Sequence, residues 1–256
     1  AAEPAPPRPR MKNTLRFFVP PEALRSDEVR LADQGLAHQL GRVLRLGPGD
    51  RVLLLDGLGA ACTVELLALG RDEVRGRVVE RAAAAGEPPV ELSVYLPLIR
   101  PERFEWALQK CVELGAARLV PVAFARSLPS DRADPRRLER WRRIVREAAE
   151  QSARGVLPQV GEPIPFAAAC EAAARAELAI MLWEREAPHL SALLRERPGA
   201  PATCALLSGP EGGITDEELT AARARGIMPA SLGPRILRAE TAPVAAAALL
   251  IAALEP

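Results

Sequence analysis

Downstream of residue 90 the chain is punctuated by short runs that are almost wholly apolar, each followed by a stretch long enough to form a helix. Runs of that kind lack the alternation a strand needs if one of its faces is wet, so they must be covered on both sides. Residues 92–99, 118–123, 178–183, 204–208 and 228–232 read as such strands. A helix opens at Pro101, whose missing N–H is no loss in a first turn, and carries Phe104, Leu108, Cys111 and Leu114 on one face until Gly115 stops it. A second helix is predicted over 135–153, with Leu138, Trp141 and Val145 on one face and arginines on the other, a solvated surface. A third follows Thr215, where Thr215 and Glu218 have the spacing of a capping box and Gly226 closes the helix. An Ala-rich helix ends the chain. Strand and helix in alternation predict an α/β unit built on a largely parallel sheet.

Upstream the period is different. Residues 15–19, 51–55, 62–67 and 74–79 are strand-like and separated by Gly, Pro and Asp turns, the pattern of a small β-barrel. Between two of these strands, HQLGRVLRLGPGD (residues 38–50) forms a short helical turn that carries Arg42 and Arg45 and stops at Gly-Pro-Gly. Residues 82–89, small and ending in a Pro pair, read as a linker. The expected organisation is a disordered Pro-rich extension over 1–10, a β-domain over 11–85 and an α/β domain over 86–256.

Several classes are excluded. The 34 basic and 33 acidic residues leave a net charge of +1, far from the field of a non-specific polyanion binder. Only Lys12 and Lys110 are lysines; the remaining cations are arginines, whose planar forks suit phosphate, although a compositional bias that also enriches Ala and Pro accounts for them equally well. The longest apolar run, 244–254, is well short of the roughly 18 residues of a membrane span. Cys62, Cys111, Cys170 and Cys204 are scattered, with no CxxC pair and no histidine at ligand spacing, which predicts reduced, mostly buried thiols in a cytosolic protein and no metal site.

Two segments could carry chemistry. In LLSGPEGGITDEEL, from Leu206, an apolar strand runs into a Gly-rich turn and then the capped helix, and ligands of open α/β sheets sit at such carboxyl ends. Gly209, Gly212 and Gly213 permit positive φ and close approach of backbone to a ligand. In SLGPRILRAETAP, from Ser231, a second strand end places two cations, a carboxylate and a hydroxyl at the same edge. By itself this second segment reads equally as an N-cap at Thr241 beside an Arg238–Glu240 ion pair. The pair of turns together points to one shared pocket. It is no P-loop, since the Walker spacing and Lys are missing, and GLGAAC at residues 57–62 lacks the third Gly of a dinucleotide fingerprint. His38 reads as a core or surface residue and His189 as a loop residue, neither with a proton-transfer role. Asp27 and Glu28 fit a solvated turn.

These two segments, preceded by RFEWALQKCVELGA and REAAEQSARGVLPQV and by HQLGRVLRLGPGD near the start, resemble the RsmE family of 16S ribosomal RNA uridine methyltransferases in the SPOUT superfamily. The resemblance runs from about residue 16 to 254. It implies a PUA-like barrel followed by a trefoil-knotted α/β domain. It further implies a cytoplasmic homodimer that uses S-adenosylmethionine (SAM) to methylate N3 of a uridine in the decoding region of the small subunit. Carried across by motif, the SAM pocket comprises Gly209, Pro210, Glu211, Gly212 and Gly213, the turn of Leu232, Gly233 and Pro234, and Ile236, Leu237, Arg238, Thr241 and Ala242. Leu182, Trp183 and Glu184 form a third wall. Arg238 and Glu240 are the candidate catalytic residues, Arg238 to stabilise charge developing on uracil and Glu240 as the neighbouring carboxylate. Arg16, Arg42 and Arg45 of the barrel, with Arg126 and Arg154 near the active site, are the candidate RNA contacts. A SPOUT enzyme acting on a ribose 2′-hydroxyl or on transfer RNA, and a non-catalytic RNA-binding assembly factor, are the alternatives.

Overall fold

The computed structural model describes residues 15–127 and 135–255; the expected extension over 1–10 lies outside them. The chain divides between Ala85 and Gly86 into two compact units.

In the first unit, β1 (Arg16–Phe18), β2 (Glu28–Leu31), β3 (Arg51–Leu55), β4 (Ala60–Leu69) and β5 (Val74–Ala83) form one sheet in the order β1-β3-β4-β5-β2. β1 runs parallel to β3 and the other pairs are antiparallel. Both ends of that ladder feed one core, where Phe17 of β1 and Val29 and Leu31 of β2 join Leu40, Val52, Leu54, Val64 and Leu66. The sheet is thus strongly curled, but among the described residues no ladder joins β1 to β2, so the barrel stays open at that seam. β2 corrects the solvated-turn reading of Glu28: its sequence Glu-Val-Arg-Leu alternates exposed and buried, and the two charged residues face water from a strand. β5 also outruns its expected end, because Ala82 and Ala83 pair with Ala61 and Ala60 and leave a shorter linker. Helix α1 (Gln34–His38) starts on Asp33, whose carboxylate accepts from Leu36 N–H at 2.9 Å, and continues as a π-helical turn, Gln39–Val43. Arg42 lies on that turn and Arg45 just beyond it, at φ +56°.

The second unit contains β6 (Glu91–Pro97), α2 (Pro101–Glu113), β7 (Arg118–Ala123), α3 (Pro135–Gln151), β8 (Gln159–Val160), β9 (Ile164–Pro165), α4 (Phe166–Ala173) and β10 (Leu178–Leu182). It continues with α5 (Leu190–Glu196), β11 (Thr203–Leu207), α6 (Asp216–Arg223), β12 (Met228–Ala230) and α7 (Thr241–Leu254). All its strand pairs are parallel, in the order β12-β10-β11-β6-β7-β8, with β9 also on β7. One face is covered by α4 and α6 through Phe166, Cys170, Leu219 and Ala222 against Tyr95, Val122, Met181 and Leu207. The alternate strand residues, such as Leu92, Val94, Ile180 and Leu206, are also buried, and α2 and α7 lie against β6. α3 packs on α2 through Trp141 and Phe104, whose rings are 4.4 Å apart. α4 and α5 are not among the expected helices: both are short, and in Ala-rich α4 the buried stripe of Phe166, Ala169, Cys170 and Ala173 has almost no polar residues opposite it to mark it in the sequence. Among the described residues no helix is long and apolar enough to cross a membrane.

The order of strands matters for function. The chain builds outward from β6 through β7 to β8, then reappears on the other side at β10, fills the gap with β11 and finishes beyond β10 with β12. The connections around β6, β10 and β11 therefore diverge, and a crevice opens at the carboxyl ends of the strands there.

Candidate active site

That crevice is a cavity of about 590 Å³, a size suited to a nucleoside-bearing cofactor. Three strand ends build it. β10 delivers Leu182, Trp183 and Glu184, and β11 runs into the turn 208–214. β12 ends at Ala230 and continues through Ser231, Leu232 and Gly233 to Arg235, Ile236, Leu237, Arg238 and Ala239, with Ala242 on the first turn of α7. Gly209, Pro210, Glu211, Gly212 and Gly213 all line it. The capping box fixes where the first turn ends: Glu218 N–H donates to Thr215 Oγ1 at 3.1 Å, and Thr215 N–H donates to Glu218 Oε2 at 2.9 Å. Glu218 Oε1 also accepts from Ala125 N–H at 2.8 Å, which ties the turn's helix to the segment after β7.

The three glycines of this turn serve different needs. Only Gly213 has positive φ, at +76°. At Gly209 a Cβ would come within 2.5 Å of Ile214 Cγ1, and at Gly212 within 2.9 Å of Arg126 Cβ, so these two are required for space and not for their backbone angle.

Of the remaining expected residues, neither Pro234, which is exposed, nor Thr241 lines the cavity; Thr241 is the first residue of α7 and not its cap, and Glu240 occupies the cap position, without a capping hydrogen bond. Glu240 is instead nearly buried behind the second turn, with its Oε1 4.0 Å from Arg238 Nη1 and 3.8 Å from Arg103 Nε. Arg238 itself is 77% exposed. Arg103, on the first turn of α2, lines the cavity and donates to Glu211 Oε1 at 3.0 Å. Sequence reasoning missed it, since nothing local separates one arginine of RFEWALQKCVELGA from the many others. It also left Ser208, Ile214, Ser231, Arg235 and Ala239 unassigned, although each is contiguous with an expected residue, and Ala230, one position further out.

The candidate RNA contacts fare unequally. Arg126 lies beside the first turn but is engaged there, donating from Nη1 to Gly212 C=O at 2.9 Å. Arg154 is a correction. It is 2% exposed and wholly committed inside the fold: Nε donates to both carboxylate oxygens of Glu87 at 3.0 Å, and Nη1 donates to Val112 and Ala116 C=O at 2.9 and 3.0 Å. It sits just beyond the end of a helix, as expected, but faces inward, where it neutralises Glu87 and satisfies a carbonyl at the end of α2 and another in the loop that follows. In the first unit Arg42 and Arg45 are exposed, and Arg16 is half-exposed on edge strand β1. Arg42 lines an open groove with Gln34, His38 and Arg71. His38 is exposed there, whereas His189 caps α5 by accepting from Ser191 N–H at 3.2 Å. Among the described residues no group of three or more His, Cys, Asp or Glu side chains is arranged to hold a metal ion.

Residues 86–251 match the family described as RNA methyltransferase domain, and residues 36–79 match the RNA methyltransferase PUA domain. The molecule therefore falls in the class of RNA methyltransferases that join a PUA-type unit to a parallel-sheet catalytic unit. Ribosomal RNA small subunit methyltransferase E of Synechocystis is 40% identical over 94% of this chain and 78% of its own length, and that of Bacillus subtilis is 32% identical over 81% and 83%. A methyltransferase of Legionella pneumophila solved with SAM bound superimposes with a TM-score of 0.84 at 28% identity, covering 94% of this chain and 98% of that one. Ribosomal RNA small subunit methyltransferase E of Neisseria gonorrhoeae, also bound to SAM, gives 0.81 at 30% identity over 92% and 95%. The chain belongs to the ribosomal RNA small subunit methyltransferase E family.

Proposed function

We propose that this protein binds SAM in the crevice at the ends of β10, β11 and β12 and methylates N3 of one uridine in 16S ribosomal RNA, acting as a cytoplasmic homodimer with its second turn threaded as a trefoil. The observation that carries this reading is the convergence of both Gly-containing turns on one cavity that also holds cations from two elements, Arg103 and Arg238. The residues present fit the cofactor. Ser208 Oγ is buried at the cavity wall without a hydrogen-bond partner, a group a bound ligand would satisfy. Leu182, Trp183, Ile214 and Leu237 offer apolar surface for an adenine ring, and the glycines leave backbone open to it.

When bound, SAM supplies an electrophilic methyl group on a sulfonium centre. The protein's part is to hold that group and the uracil in one place, which by itself accounts for much of the acceleration. Because N3 loses its proton, negative charge develops on uracil O2 and O4, and Arg238 is the residue that stabilises it in this reading, which its exposure at the rim supports. Glu240, nearly buried and between two guanidinium groups, serves as the structural partner of the cations. In the first unit, Arg16, Arg42 and Arg45 would hold RNA phosphates and fix register without reading bases. Exposed Trp106 on α2 and Leu249 on α7, two helices that pack together, support an apolar face for the second copy.

The test is direct. Calorimetry should show one SAM site per chain, and nucleoside mapping of 16S RNA from a strain lacking the gene should show one uridine that loses its N3 methyl and regains it on complementation. A methyl that persists in the deletion strain, or one missing from a ribose hydroxyl or from transfer RNA instead, would refute the assignment. Sedimentation of the free protein as a monomer would refute the dimer.

A further inference from the structure

The two turns that wall the crevice belong to different strands, and each carries one glutamate toward the same point. Glu211 comes from the turn after β11 and Glu240 from the segment that enters α7. Between them lies Arg103, its Nη1 3.0 Å from Glu211 Oε1 and its Nε 3.8 Å from Glu240 Oε1. Among the described residues it is the one side chain that pairs by charge with both turns.

Its own position is well fixed. Pro101 opens α2 directly beyond β6, and Phe104, Leu108 and Cys111 bury the helix's inner face, so the backbone of Arg103 is held at the sheet's carboxyl edge by the core. The buried one of the two carboxylates needs it. The Glu240 side chain is only 11% exposed and its Oε2 is buried without a hydrogen bond, so it relies on nearby cations for compensation. Without Arg103 that compensation would fall to Arg238 alone, 4.0 Å away and mostly in solvent.

We propose that Arg103 is a positioning residue for methyl transfer: it ties Glu211 to Glu240, sets the separation of the two turns that grip the cofactor, and leaves Arg238 free for the substrate. This rests on the reading of the crevice as the SAM site. The test uses the full-length protein, with S-adenosylhomocysteine as the binding probe and single-turnover methylation of 16S RNA at saturating SAM as the rate. Arg103→Ala should weaken binding by about tenfold and lower the saturating rate by a similar factor, in protein whose melting temperature falls but stays well above the assay temperature. Arg103→Lys should recover most of the affinity, because an ammonium at the same position can still reach Glu211. The double variant Arg103→Ala/Glu211→Gln should bind no worse than Arg103→Ala alone, since the second change removes a partner already lost. Affinity and saturating rate of Arg103→Ala both within about twofold of the unchanged protein, or additive losses in the double variant, would overturn the proposal. Failure of the unchanged protein to bind S-adenosylhomocysteine would instead overturn the cofactor assignment.

Discussion

A glycine can be required for its backbone angle or for the room it leaves, and the first turn of the crevice contains both cases. Gly212→Val would drive a branched side chain into Arg126, whose Cβ is already 2.9 Å from the position of an added Cβ, and would push the turn away from its brace. It should abolish SAM binding by calorimetry while far-UV circular dichroism stays unchanged. Gly213→Ala meets strain at φ +76° and Glu184 Oε1 at 2.9 Å, and should weaken binding more mildly because a carboxylate end can swing aside. A second pair of variants separates chemistry from support. Arg238→Ala should reduce the single-turnover rate far more than it weakens SAM or RNA binding, the pattern of an interaction that strengthens in the transition state. Glu240→Gln should cost less; if it is the dead variant across a pH series and Arg238→Ala keeps its rate, the two roles are reversed. At this scale the pocket was readable wherever its residues are contiguous, as in LLSGPEGG and SLGPRILRA. Arg103 was not, because it reaches the site from a helix more distant in sequence, and Arg154 was misplaced because sequence spacing does not show which way an arginine at a helix end will face. The four thiols follow the composition-based reading: all are free and buried, and burial pushes Cys111 and Cys204 up to about 12 and Cys170 to about 11.

Among the elements, the end of α3 is bolted to the start of the catalytic unit through Arg154 and Glu87. Burial of Glu87 by itself would raise its carboxyl, but hydrogen bonds from Arg154, Val156 and Gly155 outweigh it and hold the group below the usual carboxylate range. A depressed folded value means that the pair's contribution is complete above the ordinary glutamate value, about 4.3, and is lost as pH falls through the folded value. The unchanged protein should therefore lose stability in acid with a component that Glu87→Gln lacks, measured as denaturant midpoints between neutral pH and pH ~3. Arg154→Ala should be the more damaging change at neutral pH, by about 3 kcal/mol, since it leaves the Glu87 carboxylate without its cation and two buried carbonyls without their side-chain donor. The long elements were legible from periodicity and caps, down to the Thr215 box. The two-residue strands β8 and β9 have no period to read, and β2 was hidden because its outward residues are charged and follow an aspartate.

For the molecule as a whole, a net charge of +1 means that RNA affinity must come from local placement of arginines and not from a general field. Arg42→Ala and Arg16→Ala should each lower the slope of log affinity against log salt by roughly 0.7, the value for one single-strand phosphate contact, while SAM affinity stays the same. An unchanged slope in both would remove the first unit from the RNA interface. Deleting residues 1–10 should alter neither measurement. The division into a β-unit and an α/β unit was legible from the change of hydrophobic period near residue 85; the order of strands was not, because pairing partners far apart leave no local mark. That order sets how the chain is born. β6 has β11 as its inner neighbour, with Val94 opposite Leu206, so the catalytic sheet exists only as separated edges until Thr203–Leu207 has left the ribosome. The first unit, whose strands all lie between Arg16 and Ala83, can close long before that. During synthesis the molecule should therefore pass through a stage in which its β-unit is already folded while the crevice does not yet exist, and a nascent chain arrested before β11 should be protease-resistant only in its first part.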